Sequence, residues 1–101
     1  MQIDVLYFAG CPNHGAAVDL VREVVRDLGL QLPVQEIEVP NPEAAVRLGF
    51  LGSPTIRVNG WDVEPDAGNR TDYAMSCRVY GHSGVPPRVW IETALRSRAA
   101  P

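Results

Sequence analysis

Lysine is absent from the sequence, and all nine basic residues are arginines. Schiff-base catalysis and the lysine of a phosphate-binding loop are therefore excluded. Twelve acidic residues outnumber the arginines and leave a net charge of -3. Because the chain has no excess of cations to replace the counterions of phosphate groups, we expect no nucleic-acid partner.

Long hydrophobic runs are missing as well, and cysteine is scarce. No apolar stretch approaches the roughly 20 residues that span a bilayer, so we expect no membrane association. Two cysteines cannot build the disulfide framework of a small secreted domain or the four-thiolate site of an ordinary iron–sulfur cluster. The first four residues lack the charged and apolar segments of a secretory signal, which favours a cytoplasmic protein with reduced thiols.

The remaining composition is typical of one globular domain. Hydrophobic residues make up 46% and charged residues 21% of the 101 positions, and no repeat or linker divides them. We expect a single domain over residues 1–101 that needs no metal, disulfide or cofactor to fold. Large aromatic side chains are expected mainly in its core, and they include Tyr7, Phe50, Trp61 and Trp90.

Hydrophobic periodicity predicts an α/β fold, because strand-like stretches alternate with stretches of helical period. Asn41 before Pro42 predicts a capped helix start, and Asn59-Gly60 predicts a tight hairpin. The elements in this order predict a four-stranded mixed sheet flanked by three helices, whereas residues 64–84 have no clear period. Strands are predicted at residues 3–8, 34–39, 54–58 and 61–63, and helices at residues 17–28, 42–49 and 86–95.

Three segments resemble a known family. They are residues 6–13 (Leu-Tyr-Phe-Ala-Gly-Cys-Pro-Asn), residues 49–55 (Gly-Phe-Leu-Gly-Ser-Pro-Thr) and residues 76–80 (Ser-Cys-Arg-Val-Tyr). Together they are similar to small bacterial thioredoxin-like proteins, several of which are loosely labelled alkylmercury lyase or mercury-resistance proteins. The resemblance to the thioredoxin superfamily covers nearly the whole chain. It implies a thioredoxin-like fold, thiol-based redox activity centred on Cys11, and a cis peptide bond before Pro54.

The chain departs from the family pattern at two positions. Thioredoxins carry a second cysteine three residues after the first, where this chain has His14, so no local disulfide can form. They also carry a buried acid six residues before the first cysteine, where this chain has Val5. Asp4 is one residue away and therefore points to the other face of the strand. The usual proton acceptor for a dithiol reaction is missing.

The two cysteines are the candidate catalytic residues. At the start of a helix, Cys11 would have its thiolate stabilised by the positive end of the helix dipole, and a cationic His14 could add to this. The alternative is a half-buried cysteine that only packs. Cys77 is either a resolving partner that folds back toward Cys11 or a strand cysteine that faces the core beside Val79.

Ser53, Pro54 and His14 are the candidate substrate-binding residues. A cis Ser53–Pro54 bond would set a loop whose backbone approaches the sulfur of Cys11 and, as the resemblance implies, pairs with an extended peptide. The alternatives are a purely structural turn at Pro54 and an exposed first-turn residue at His14. The expected partner is a thiol or disulfide on a protein or a small molecule.

The same cysteines also belong to a possible metal-binding pattern. Cys11 and His14, with Cys77 and His82, have a spacing that would suit zinc, copper(I) or mercury. Three function hypotheses therefore remain open. They are thiol-based redox activity of the oxidoreductase type, the binding or handling of a soft metal, and a thioredoxin-fold binding module without turnover.

Overall fold

The computed structural model describes residues 1–81 and 83–99. Within them the predicted class is confirmed, because four strands form one mixed sheet and three helices accompany it. None of the helices in these residues is long and apolar enough to cross a membrane. The elements are β1 (Ile3–Tyr7), α1 (His14–Asp27), β2 (Val34–Glu38), α2 (Pro42–Leu48), β3 (Thr55–Val58), β4 (Trp61–Asp62) and α3 (Arg88–Ala99).

The sheet has the strand order β2-β1-β3-β4. β1 runs parallel to β2 and antiparallel to β3, with Leu6 opposite Thr55. The predicted hairpin between β3 and β4 is confirmed, since Asn59 and Gly60 both have positive φ angles, 52° and 83°, as a type I′ turn requires. The antiparallel pairing brings the end of β1 next to the start of β3. The loops that carry Cys11 and Pro54 therefore leave the sheet at the same end, at the tips of its two central strands.

Apolar clusters occupy both faces of the sheet, and β1 contributes to each. Ile3 and Val5 pack with residues of α1 and α3, whereas Leu6 packs with Phe50 and residues of α2. Asp4 lies two residues from Leu6 and therefore shares the α2 face, opposite Val5. The α1 face of β1 thus carries an apolar residue where thioredoxins have a buried acid.

The ends of α2 are set by capping residues, whereas the start of α1 has no side-chain cap. Asn41 caps α2, because its Oδ1 accepts a hydrogen bond from the Ala44 N–H at 2.9 Å, and Gly49 ends the helix with a φ of 64°. α1 begins at His14, three residues earlier than the period predicts, and Asn13 precedes it without a side-chain capping bond. Cys11 therefore lies just before the first turn of α1.

The expectation of a buried position is correct for Phe50 and wrong for Trp61. Phe50 is fully buried, but Trp61 is 67% exposed. Trp61 lies on β4, a two-residue strand at the edge of the sheet that has a neighbouring strand on one side only. An edge position offers less surface for burial than the central strands do.

The cap of α2 yields a stability prediction. Replacing Asn41 by alanine removes the acceptor for the Ala44 N–H, and we expect the free energy of unfolding to fall by about 1 kcal/mol. Asn41→Asp keeps an acceptor of the same length and should retain most of that stability. Urea unfolding of both variants checks the expectation, and equal losses in the two would contradict it.

Candidate functional site

Cys11 lies in the turn that connects β1 to α1. Its N–H donates a hydrogen bond to the Phe8 carbonyl at 3.2 Å, and its own carbonyl accepts from the His14 N–H at 3.4 Å. The residue is half-buried and its thiol is free. Cys11 is therefore held between the end of a central strand and the first turn of a helix, whose unpaired N–H groups favour negative charge nearby.

His14 contacts the two parallel strands of the sheet. Its ring stacks on the Tyr7 ring at 3.6 Å between centroids, with 10° between the planes. Its Nε2 lies 2.7 Å from the Glu36 Oε1, and the Arg22 Nη2 lies 3.8 Å from the Glu36 Oε2. One ring nitrogen is thus already hydrogen-bonded within the protein, and a role of His14 in substrate binding stays a prediction.

The Ser53–Pro54 peptide bond is cis, which confirms the prediction for this bond. Both residues are buried just before β3. The Ser53 Oγ accepts a hydrogen bond from the Phe8 N–H at 3.4 Å, while the Phe8 carbonyl accepts from Cys11. Phe8 therefore connects the loop of Cys11 directly to the proline loop.

Residues 76–80, which we call the covering segment, pair with the chain just before β3, at the same end of the sheet. The Ser53 N–H donates to the Ser76 carbonyl at 2.8 Å, and the Ser53 carbonyl accepts from the Arg78 N–H at 2.9 Å. This pattern is a parallel bridge between Ser53 and Cys77. Both backbone groups of the residue before the cis-proline are thus bonded to the chain itself.

Side chains of the covering segment alternate between the interior and solvent. Arg78 and Tyr80 are buried, with 3% and 5% exposure, whereas Cys77 and Val79 are exposed. The interpretation of Cys77 as a core-facing strand cysteine beside Val79 is therefore wrong. The inward positions are occupied by the arginine and the tyrosine, which leaves the Cys77 thiol on the outer side of the segment.

Arg78 anchors the covering segment to β4. Its guanidinium forms a two-pronged ion pair with Asp62, at 2.7 and 3.0 Å, and lies 3.3 Å from the Glu64 carboxylate. The same group donates to the Thr55 Oγ1 at 3.0 Å. Burial alone would lower the pKa of Arg78, but the hydrogen bonds to Asp62 and the nearby negative charges hold it above its usual value.

Tyr80 and Gly52 hold the covering segment close to the proline loop. The Tyr80 hydroxyl donates to the Pro54 carbonyl at 2.6 Å, and burial raises the pKa of this tyrosine well above its usual value. Gly52 has a φ of 119°, and a Cβ there would lie 2.9 Å from the Ser76 carbonyl oxygen and 3.1 Å from the Arg78 Cβ. The two backbones approach each other more closely than any side chain at position 52 would allow.

The chain then passes the loop of Cys11. Tyr80 and Ser83 pair across a turn, and the next residue, Gly84, lies against the side chain of Asn13. A Cβ at Gly84 would overlap the Asn13 amide. The covering segment therefore pairs with the proline loop, and Gly84 lies against a residue two positions after Cys11.

Four of the five predicted site residues belong to one end of the sheet. Phe8 connects Cys11 to Ser53, which precedes Pro54, and Ser53 in turn pairs with Ser76 and Arg78, the two neighbours of Cys77. His14 is bound instead to β1 and β2. The sequence analysis did not identify Arg78 and Tyr80 as the residues that anchor the site. The signal was their spacing of two positions, which places both side chains on the same face of an extended segment.

The four-ligand metal pattern is only partly described. His82 lies outside the described residues. Among residues 1–81 and 83–99, no three His, Cys, Asp or Glu side chains are grouped so that they could hold a metal ion. A two-coordinate site on the thiols is a separate arrangement from the pattern of two cysteines and two histidines.

A cavity of about 620 Å³ lies elsewhere, around β4. Its lining includes Arg57, Trp61 and Tyr73 but none of Cys11, Pro54 and Cys77. The Arg57 Nη2 donates to the carbonyls that end α2, at 2.7 and 3.0 Å, and burial lowers the pKa of this arginine. This cavity therefore does not include either cysteine.

Comparison with known proteins gives no match to a family model, to a curated protein or to a solved structure. The thioredoxin resemblance accordingly depends on the residues of the chain itself. Any proposal of function depends on the end of the sheet where Cys11, the cis-proline and the covering segment occur.

The close approach at Gly52 predicts a large effect of a single methyl group. Gly52→Ala combines a positive φ with overlap against the covering segment, whereas Gly60→Ala has a similar φ sign and nothing within 4 Å. We expect Gly60→Ala to lower the free energy of unfolding by about 1–2 kcal/mol and Gly52→Ala by roughly 1–3 kcal/mol more. Urea unfolding measures both, and equal losses would contradict the close packing.

The buried tyrosine predicts a loss of stability in alkali. The unfolded chain has a tyrosine pKa of about 10, and burial raises the folded value for Tyr80 above that. The stability contributed by neutral Tyr80 is therefore complete below pH of about 10 and is lost as the pH rises further. Tyr80→Phe should show a weaker alkaline loss in urea unfolding across this range. The same pH dependence in both proteins would contradict the assignment.

Proposed function

We propose that this chain is a thioredoxin-fold protein of the cytoplasm that carries out thiol–disulfide exchange, with Cys11 as nucleophile and Cys77 as resolving thiol. The strand order, the parallel β1-α1-β2 unit and the antiparallel β3-β4 hairpin support the thioredoxin-like fold. The cis bond before Pro54 at the end that carries Cys11 supports it further.

The observation that carries the redox proposal is the bridge between Ser53 and Cys77. Ser53 also accepts a hydrogen bond from Phe8, whose carbonyl accepts one from Cys11. Two thiols that lie 66 positions apart in sequence are thereby linked to the same strand ends. Both are free, and Cys77 is exposed, so a substrate and a second thiol have access to the same end.

The exchange proceeds in two displacements. The Cys11 thiolate attacks one sulfur of a substrate disulfide, the substrate S–S bond breaks, and the other sulfur leaves as a thiolate. The Cys77 thiolate then attacks the Cys11 sulfur of the mixed disulfide and releases the second substrate thiol. Two electrons pass to the substrate, and the two protons of the protein thiols reach the substrate thiolates through solvent. Two molecules of a low-molecular-weight thiol then reduce the Cys11–Cys77 disulfide. The first forms a mixed disulfide with Cys11 and frees Cys77, and the second frees Cys11 and leaves as the small-molecule disulfide.

In this scheme, solvent water accepts the protons of the protein thiols. Val5 occupies the α1 face of β1, where thioredoxins have an acid, and it is fully buried in the apolar cluster. Asp4 lies on the opposite face of the strand and bonds to the Gln2 amide at 2.9 Å. Because Cys77 is exposed, its proton passes directly to solvent or buffer without an internal base.

Mass spectrometry tests the pairing of the thiols. After mild oxidation with glutathione disulfide, trypsin digestion without reductant should release residues 1–22 joined to residues 71–78, since arginines 22, 70 and 78 provide the cleavage sites. Cys11→Ser and Cys77→Ser should each abolish the joined peptide. In the single-cysteine variants, alkylation at neutral pH should label Cys11 faster than Cys77. Absence of the joined peptide together with equally slow labelling would overturn the proposal.

A soft-metal function is the alternative that the two free thiols support. Cysteine thiolates at one end of the sheet can hold a two-coordinate ion such as mercury(II) or copper(I). Metal analysis of the purified protein together with an assay of repeated disulfide reduction separates the functions. Bound metal without turnover favours metal handling, and turnover without bound metal favours exchange. The absence of both bound metal and turnover favours a binding module.

A further inference from the structure

We infer that the exchange site accepts compact, small-molecule disulfides and excludes cysteines within extended peptides, an inference that rests on the proposed thiol exchange. The covering segment occupies the backbone positions with which a peptide strand would pair. Beside it, Cys77 is exposed and Cys11 is half-buried. The substrate class therefore follows from the position of the covering segment beside the proline loop.

An extended peptide binds a sheet edge through unpaired backbone N–H and C=O groups. Ser53 offers neither, because its N–H donates to the Ser76 carbonyl and its carbonyl accepts from the Arg78 N–H. Pro54 has no N–H, and its carbonyl accepts from the Tyr80 hydroxyl. In these two successive residues of the proline loop, the single N–H group and both carbonyl groups are therefore already hydrogen-bonded within the chain.

The covering segment occupies the place of a strand beside the proline loop. It lies so close that a Cβ on Gly52 would be 2.9 Å from the Ser76 carbonyl oxygen, so no peptide fits between the two. A peptide would have to displace the segment, and this would extract the Arg78 side chain, 1% exposed, from its carboxylate partners. Removing one member of a buried ion pair leaves the other charge uncompensated, which opposes displacement.

A compact disulfide needs no such pairing. The residues on either side of Cys11, Gly10 and Pro12, are exposed, and Cys77 is exposed on the outer side of the covering segment. The cavity near β4 does not include either cysteine and therefore does not select the reagent. Access to the sulfur, which controls the rate of exchange, is therefore open to small molecules without rearrangement.

Two chromogenic substrates test the inference. One is N-acetylcysteine amide and the other is an extended peptide with a central cysteine, each joined to thionitrobenzoate as a mixed disulfide. The release of thionitrobenzoate by the reduced protein is divided by the rate with free glutathione, which removes the intrinsic difference between the substrates. We expect the normalised rate for the peptide to be lower by about tenfold, equivalent to about 1.4 kcal/mol.

Loosening the covering segment should reduce this discrimination. Arg78→Leu removes the ion pairs to Asp62 and Glu64, so the ratio of peptide rate to small-molecule rate should rise. Arg88→Leu is the matched control, because it removes ion pairs between α3 and α1 that do not involve the covering segment, and its ratio should equal that of the wild type. Tyr80→Phe frees only the Pro54 carbonyl and serves if Arg78→Leu does not fold.

The outcomes separate the two proposals. If the wild-type protein reacts with neither substrate faster than glutathione does, thiol exchange at Cys11 is wrong. If it reacts with both and the normalised peptide rate equals or exceeds the small-molecule rate, the exchange holds and the exclusion of peptides is wrong. A ratio that does not change in either loosened variant would also overturn the role of the covering segment.

Discussion

The buried ion pair between Arg78 and Asp62 holds this edge of the protein together. An arginine side chain that is 1% exposed is stable in the interior only when carboxylates and hydrogen-bond acceptors surround its guanidinium. Asp62 on β4, Thr55 on β3 and Glu64 after β4 supply those partners. Because the backbone of Arg78 also pairs with Ser53, the ion pair joins the covering segment to both the last strands and the proline loop.

Elements with local signals could be predicted from the sequence. The helical period of α1, the cap at Asn41 and the Asn59-Gly60 hairpin depend on residues close in the chain. The covering segment could not be found in this way, because it forms only when residue 78 reaches residue 53 and a carboxylate on β4. An arginine and a tyrosine at its inward positions also give no apolar alternation, so the usual strand signal is absent.

The candidate site shows the same division between local and distant causes. The positions of Cys11 and the cis-proline were predicted from short segments, and the exposure of Cys77 was not. Its orientation depends on Arg78 and Tyr80 facing inward, which in turn depends on Asp62 and Pro54 far away in sequence. The exposure of Trp61 has a similar origin, since the position of β4 at the edge follows from the strand order of the whole sheet.

The contacts of His14 limit how Cys11 can move. The imidazole is fixed to Tyr7 on β1 and to Glu36 on β2, so the first turn of α1 moves with the sheet. Phe8 is fixed to the sheet as well, through Ser53. Cys11 thus lies in a short loop between Phe8 and His14, both of which are bonded to the sheet. Gly10 in this loop has a φ of 87°. In the proposed exchange, Cys11 would therefore keep its place relative to the sheet, and Cys77 or the substrate would have to approach it.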